Sequence, residues 1–151
     1  MSSATHPTHP APPATTPSGE PALVVTCGAH GKNARAVRDL VSVAAELAGA
    51  GDTATDDLRS AVGELFANCV THLPGTTVHV EARHDRSTRR FTVHVDDHDD
   101  TRVLFPHEGP APATEAESGY GLHLVHHLTD RCGVIPLPAG RGKRVWFTIS
   151  I

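Results

Sequence analysis

Apolar positions along the chain switch between a period near two and a period near 3.6, and the switches mark its elements. Leu23 to Cys27 is a short apolar run with β-branched residues, which predicts a first strand. From Asn33 to Ala48, the positions Val37, Leu40, Val41, Ala44 and Leu47 follow helical spacing. Gly49-Ala50-Gly51 ends that helix, and Asp52 or Thr53 is placed to cap the next. Leu58, Val62, Leu65, Phe66, Cys69 and Leu73 make the buried stripe of this second helix, which Pro74-Gly75 stops. Val78, Val80 and Ala82 alternate, as do Phe91, Val93 and Val95, so two strands are expected around a hairpin loop over Asp85 to Thr88. Gly119-Tyr120-Gly121 opens a third helix with Leu122, Leu124, Val125 and Leu128 as candidate core. Gly133 to Pro136 and Val145 to Ile149 read as two closing strands around a Gly140-Arg141-Gly142-Lys143 turn.

This order predicts a two-layer α/β (α+β) sandwich, a mixed, mainly antiparallel sheet with about three helices packed on one face. Between Asp97 and the third helix, residues 98 to 118 hold several Pro and acidic residues and few apolar ones. A loop of that length inside a compact domain is often a functional lid. Residues 1 to 21 are rich in Pro, Thr, Ser, Ala and His and bury too little apolar surface to offset their ordering entropy. They are expected to form a disordered tail, leaving 22–151 as one domain.

Composition narrows the class. The chain of 151 residues is long enough for one domain with a proper core, and 38% hydrophobic with 20% charged residues fits a soluble globular protein. A net charge of −4 offers no basic surface for nucleic acid. No apolar run is long enough to span a membrane, and the N-terminus lacks the pattern of a secretory signal. Cys27, Cys69 and Cys132 are odd in number and widely spaced, so a disulfide framework is not expected and a reducing cytoplasm is the simplest location. The twelve His are scattered without zinc-finger spacing, and the adjacent His126 and His127 would point apart on a helix.

Candidate chemistry concentrates on the second helix. Glu64 and Asn68 lie one turn apart on one face. An uncharged amide oxygen beside a carboxylate suits Mg²⁺ on a nucleotide, with the carboxylate accepting a proton from an attacking hydroxyl or water. The same pair also fits a solvated polar face. His72, four residues beyond Asn68, is placed either to contact phosphate or to finish the helix. A carboxylate at the end of the Val93–Asp97 strand can accept a hydrogen bond from the exocyclic amine of adenine. Asp96, Asp97, Asp99 and Asp100 crowd there, and chemistry alone does not choose among them. Gly119 and Gly121, just before a helix, allow a backbone to approach phosphate closely. Arg131 and Lys143 are candidates to reach phosphates, though exposed basic residues usually have no such role, and Cys69 reads as packing.

The order of these motifs resembles a known family. Glu64-Leu65-Phe66-Ala67-Asn68-Cys69-Val70-Thr71-His72 resembles the N box of the GHKL (histidine kinase-like) ATPase superfamily. The strand ending at Asp97 resembles its adenine-binding first glycine box, and Ser118 to Val125 resembles the second. Gly142 to Phe147 resembles the closing strand of small bacterial members. Within the superfamily the chain looks most like single-domain anti-sigma-factor serine/threonine kinases. That resemblance implies ATP and Mg²⁺ as cofactors, with Asn68 on the metal and Glu64 as base. It implies that Asp97 reads adenine, and that His72, Gly119, Gly121 and Leu122 border the nucleotide beneath a lid over about 98–118. It also implies transfer of the γ-phosphoryl group to Ser or Thr of an anti-anti-sigma (STAS-type) partner, binding to a sigma factor, and a homodimer as one option. Two other readings stay open: a module without catalysis that regulates by binding a partner protein, and a plain ATPase in which Glu64 activates water.

Overall fold

A computed structural model describes residues 19–98 and 123–151. Along the chain lie β1 (Glu20–Gly28), α1 (Gly31–Leu47), α2 (Asp52–His72), β2 (Thr77–Asp85) and β3 (Arg90–Asp97). A helical segment over 123–128, here α3, comes next, followed by β4 (Arg131–Pro136), one 3₁₀ turn (Pro138–Gly140) and β5 (Lys143–Ser150). The strands form one sheet in the order β1-β2-β3-β5-β4. Every pairing among the described strands is antiparallel, in keeping with the mainly antiparallel sheet expected. Antiparallel neighbours need only short links, which suits the β2–β3 hairpin and the brief β4–β5 connection.

The period-two residues form the floor of the core. Val80, Val95 and Val145 stand side by side across three strands, as do Ala82, Val93 and Phe147. All are buried, and α2 lays Leu58, Val62, Leu65 and Phe66 over them. Phe66, Phe91 and Phe147 are each 0% exposed, and burial of side chains of this size stabilises by about 1.5–3 kcal/mol each. Val125 brings α3 into the same core.

α1 meets the expectation of a helix but not of its whole stripe. Val37, Val41, Ala44 and Ala45 face inward, whereas Leu40, Val43 and Leu47 are exposed. The helix packs against α2 and β1, and the residues on its remaining sides do not reach the core. Its end is a Schellman motif: Ala50 N–H donates to Ala45, Gly49 N–H donates to Glu46, and Gly49 takes φ +101°, where a side chain would be strained. α2 is capped by Gly51 rather than by Asp52 or Thr53, and Asp52 instead supplies the carboxylate of its first turn. The strands β1, β4 and β5 all extend beyond the apolar runs that announced them. Backbone pairing continues there beyond the apolar side chains. No described helix is long and apolar enough to cross a membrane.

Candidate functional site

The site forms where the last turns of α2 lie over one end of the sheet. Cys69 is the last buried residue of the α2 stripe, and its thiol donates to Asp97 Oδ2 across 3.9 Å, a long contact even for sulfur. Asp97 is the final residue of β3 and is only 6% exposed. Its cross-strand partner is Lys143, the first residue of β5, whose Nζ lies 3.5 Å from the same Oδ2. A thiol and an ammonium thus meet at one carboxylate oxygen.

Gly142 makes this meeting possible. It has φ +115°, and a Cβ there would overlap the backbone oxygen of Asp97 and come within 2.7 Å of His98 Cα. The start of β5 therefore closes against the end of β3 only with glycine at this place.

Strand alternation chooses between the neighbouring acids. Asp97 points to the helix-covered side, while Asp96 points to the other face, where Arg144 grips it with two hydrogen bonds. Arg144 Nε donates to Oδ1 at 2.8 Å and Nη2 to Oδ2 at 2.9 Å. That fork holds the Arg144 guanidinium above its usual range, the hydrogen bonds to Asp96 being the main cause. Asp99 and Asp100 lie outside the described residues. Only Asp97, of the acids expected to compete for a base-reading role, is therefore seen to face the α2 side.

Beside this pair His94 is buried, and burial, reinforced by the charge of Arg144, pulls its imidazole down to about 4. It is neutral at physiological pH. Cys69 moves the other way. Burial first, then the Asp97 carboxylate, push its thiol up to about 12, with Lys143 opposing. At neutral pH it is a protonated hydrogen-bond donor rather than a nucleophile. The expectation that Cys69 only packs was thus incomplete, because its thiol also touches a carboxylate.

Glu64, Asn68 and His72 follow at four-residue steps on α2, all partly exposed on the flank beside the buried stripe. Asn68 precedes Cys69, so it is carried to the same end of the sheet as Asp97. His72 Nε2 is buried and has no hydrogen-bond partner among the described residues. A buried polar atom left this way costs stability unless something satisfies it. Glu64 and Asn68 offer hard oxygen donors, which fit Mg²⁺. No group of three or more His, Cys, Asp or Glu able to hold a metal exists among the described residues. Asn68 would offer such an ion one ligand, with phosphate oxygens and water completing its shell. Gly119, Gly121, Leu122 and the lid over 98–118 fall outside the described residues, His98 excepted.

Two basic residues part company. Lys143 stands at the Asp97 end of β5, whereas Arg131 pairs with Thr148 near the other end and is exposed. Arg131 is therefore removed from the candidate site. Lys143 was legible as basic but not as a partner of Asp97. Only the β3–β5 register, which places residues 97 and 143 opposite each other, joins them.

Comparison with known proteins gives the family and the fold. A family model described as a histidine kinase-like ATPase domain matches residues 29–149. The match runs from the end of β1 to β5 and contains Glu64, Asn68, His72 and Asp97. Among solved structures, a chain containing the RsbU and RsbW domains of Rv1364c from Mycobacterium tuberculosis is similar in fold, with a TM-score of 0.63 and 19% identity. The similarity covers 87% of this chain and 32% of that one, so the present chain spans about a third of the length of that solved chain. No curated protein matches the chain significantly.

Proposed function

Because the chain belongs to the histidine kinase-like ATPase family, we propose that it binds Mg-ATP and passes the γ-phosphoryl group to a Ser or Thr of a partner protein. The observation that carries this reading is Asp97. It is a buried carboxylate at the end of β3, beneath the helix that bears Glu64 and Asn68. A buried acceptor of this kind suits the exocyclic amine of adenine. The magnesium ion supplies charge neutralisation on the phosphates when bound. Asn68 holds it through its amide oxygen, and Glu64 accepts the proton from the attacking hydroxyl. The unsatisfied Nε2 of His72 is available to a phosphate oxygen.

The partner we propose is an anti-anti-sigma protein of STAS type, with a sigma factor as a second binding partner and the cytoplasm as location. The test is incubation of the purified chain with γ-labelled ATP, Mg²⁺ and candidate partners of that type. Label should appear on a partner Ser or Thr. Asn68→Ala should lose Mg-dependent nucleotide binding, whereas Glu64→Ala should keep binding and lose transfer. Normal phosphorylation by both variants would sink the assignment.

One observation favours a second reading. The Asp97 carboxylate already has Lys143 and the Cys69 thiol beside its Oδ2, so a base must compete for that oxygen. A chain in which the ion pair prevails would regulate by binding a partner without catalysis. Calorimetry with Mg-ATP separates the two, since no heat at millimolar nucleotide supports the binding module.

A further inference from the structure

α3 carries a pair of imidazoles to which the proposed nucleotide chemistry assigns no role. His123 and His127 are four residues apart on one helical face. Their Nε2 atoms are 3.0 Å apart, with ring centroids at 4.5 Å and planes at 89°. His123 is half-buried and His127 is exposed, so both are reachable from solvent. With one proton between them the rings form a hydrogen bond. With both Nε2 atoms deprotonated, two imidazole nitrogens stand close enough for one ion to be shared between them.

We propose that His123 and His127 form a chelating site for a divalent transition-metal cation. The geometry supports a specific ion class. With metal–nitrogen bonds of about 2.1 Å, two nitrogens at a right angle stand about 3.0 Å apart, and at the tetrahedral angle about 3.4 Å. The observed 3.0 Å lies close to both separations, so the pair is spaced for one divalent transition-metal cation of the Ni²⁺, Cu²⁺ and Zn²⁺ class. Imidazole is a suitable ligand for all three and a poor one for Mg²⁺, which prefers oxygen. Binding requires no net loss of a proton from neutral imidazoles. The ring that donates in the hydrogen bond shifts its proton to Nδ1 and frees Nε2.

Two protein ligands are all the described residues supply, because no third His, Cys, Asp or Glu converges there. The other coordination positions are water, which makes the site open and exchangeable. His126 belongs to a different arrangement, its Nδ1 lying 3.8 Å from Cys132 Sγ. The consequence for the protein is mechanical. A cation held at positions i and i+4 clamps one turn of α3, whose Val125 is part of the core.

The test uses the full chain and Ni²⁺ as probe, read by isothermal titration calorimetry and by thermal unfolding. One equivalent should bind more tightly than the rest and raise the melting temperature, and Mg²⁺ should do neither. Either His123→Gln or His127→Gln should weaken that equivalent by at least the roughly 10–100-fold that loss of an outer-shell partner costs. Glutamine is a good helix former, so both variants keep α3. His126→Gln should leave the tight equivalent unchanged. Retention of tight binding in the two Gln variants, or its loss in His126→Gln, would overturn the proposal and place the ion elsewhere. Absence of any tight equivalent in the unaltered chain would overturn it as well.

Discussion

Replacing Lys143 by Met and, separately, Asp97 by Asn asks which partner of the buried pair depends on the other. Charges 3.5 Å apart attract by roughly 5 kcal/mol at an effective dielectric of about 20. Desolvation of both groups offsets most of this, so the net value of the pair is small while the loss of one member is not. The side chains differ in exposure, 7% for Asp97 and 17% for Lys143. Lys143→Met leaves a carboxylate in the more buried place, with the Cys69 thiol as a weak donor beside it. The expected cost is about 3 kcal/mol, the low end for breaking a buried pair. Asp97→Asn leaves an ammonium on a flexible stem that can turn toward water, and an amide oxygen that still accepts, for about 1 kcal/mol. Urea unfolding followed by circular dichroism measures the gap. A difference of about 2 kcal/mol separates the two midpoints by about 1 M for a slope near 2 kcal/mol/M. Nucleotide adds a second comparison. If the base amine donates to Asp97, it supplies a donor where Lys143→Met has removed one. Mg-ATP should then raise the melting temperature of Lys143→Met by more than that of the unaltered chain, and should not raise that of Asp97→Asn. Asp97→Asn proving the more destabilising variant would refute the ion-pair reasoning. An undiminished ATP shift in Asp97→Asn would refute the base-reading role.

The other predictions concern His94, Gly142 and Cys69. His94 has its imidazole lowered to about 4 in the fold, below the ordinary value near 6.5, so the unfolded chain takes up the proton first. Stability is fully present above about 6.5 and is lost as the pH falls through the window to 4, by at most roughly 3 kcal/mol. Denaturant midpoints measured across that window should decline less steeply for His94→Leu, and an unchanged decline would contradict the assignment. Gly142→Ala forces a side chain into φ +115° and against the Asp97 backbone, at a cost of about 3 kcal/mol or more. A variant of native stability by urea unfolding would show that the β3–β5 junction does not require glycine. Cys69, with its thiol pushed up to about 12, should resist alkylation at pH 8 in the folded protein and react fully once unfolded. Peptide mapping after a short iodoacetamide pulse reads this directly, and rapid modification of Cys69 would exclude its buried contact with Asp97.

Much of the architecture was legible along the chain because local periodicity reports which way side chains face. The alternation at Val78–Ala82 and Phe91–Val95 located β2 and β3, and the stripe from Leu58 to Cys69 located the buried side of α2. Glu64, Asn68 and Asp97 could be marked from residue chemistry and order. Alternation could not say that α1 would turn Leu40 and Leu47 to solvent, since that depends on how α1 rests on its neighbours. Nor could it choose Asp97 over Asp96, because either parity is compatible with an acidic strand end until the sheet fixes which face the helices cover. The meeting of Cys69, Asp97 and Lys143 was likewise invisible, as it joins residues 28 and 46 positions apart through helix packing and strand register. The His123–His127 pair needs α3 to be helical before its four-residue spacing becomes a 3.0 Å contact. By itself the sequence determined the elements and the chemical repertoire, because both follow from local side-chain properties. Only the tertiary structure decided which charges share one carboxylate, because Coulomb and hydrogen-bond contacts act over a few ångströms between segments that the chain keeps apart.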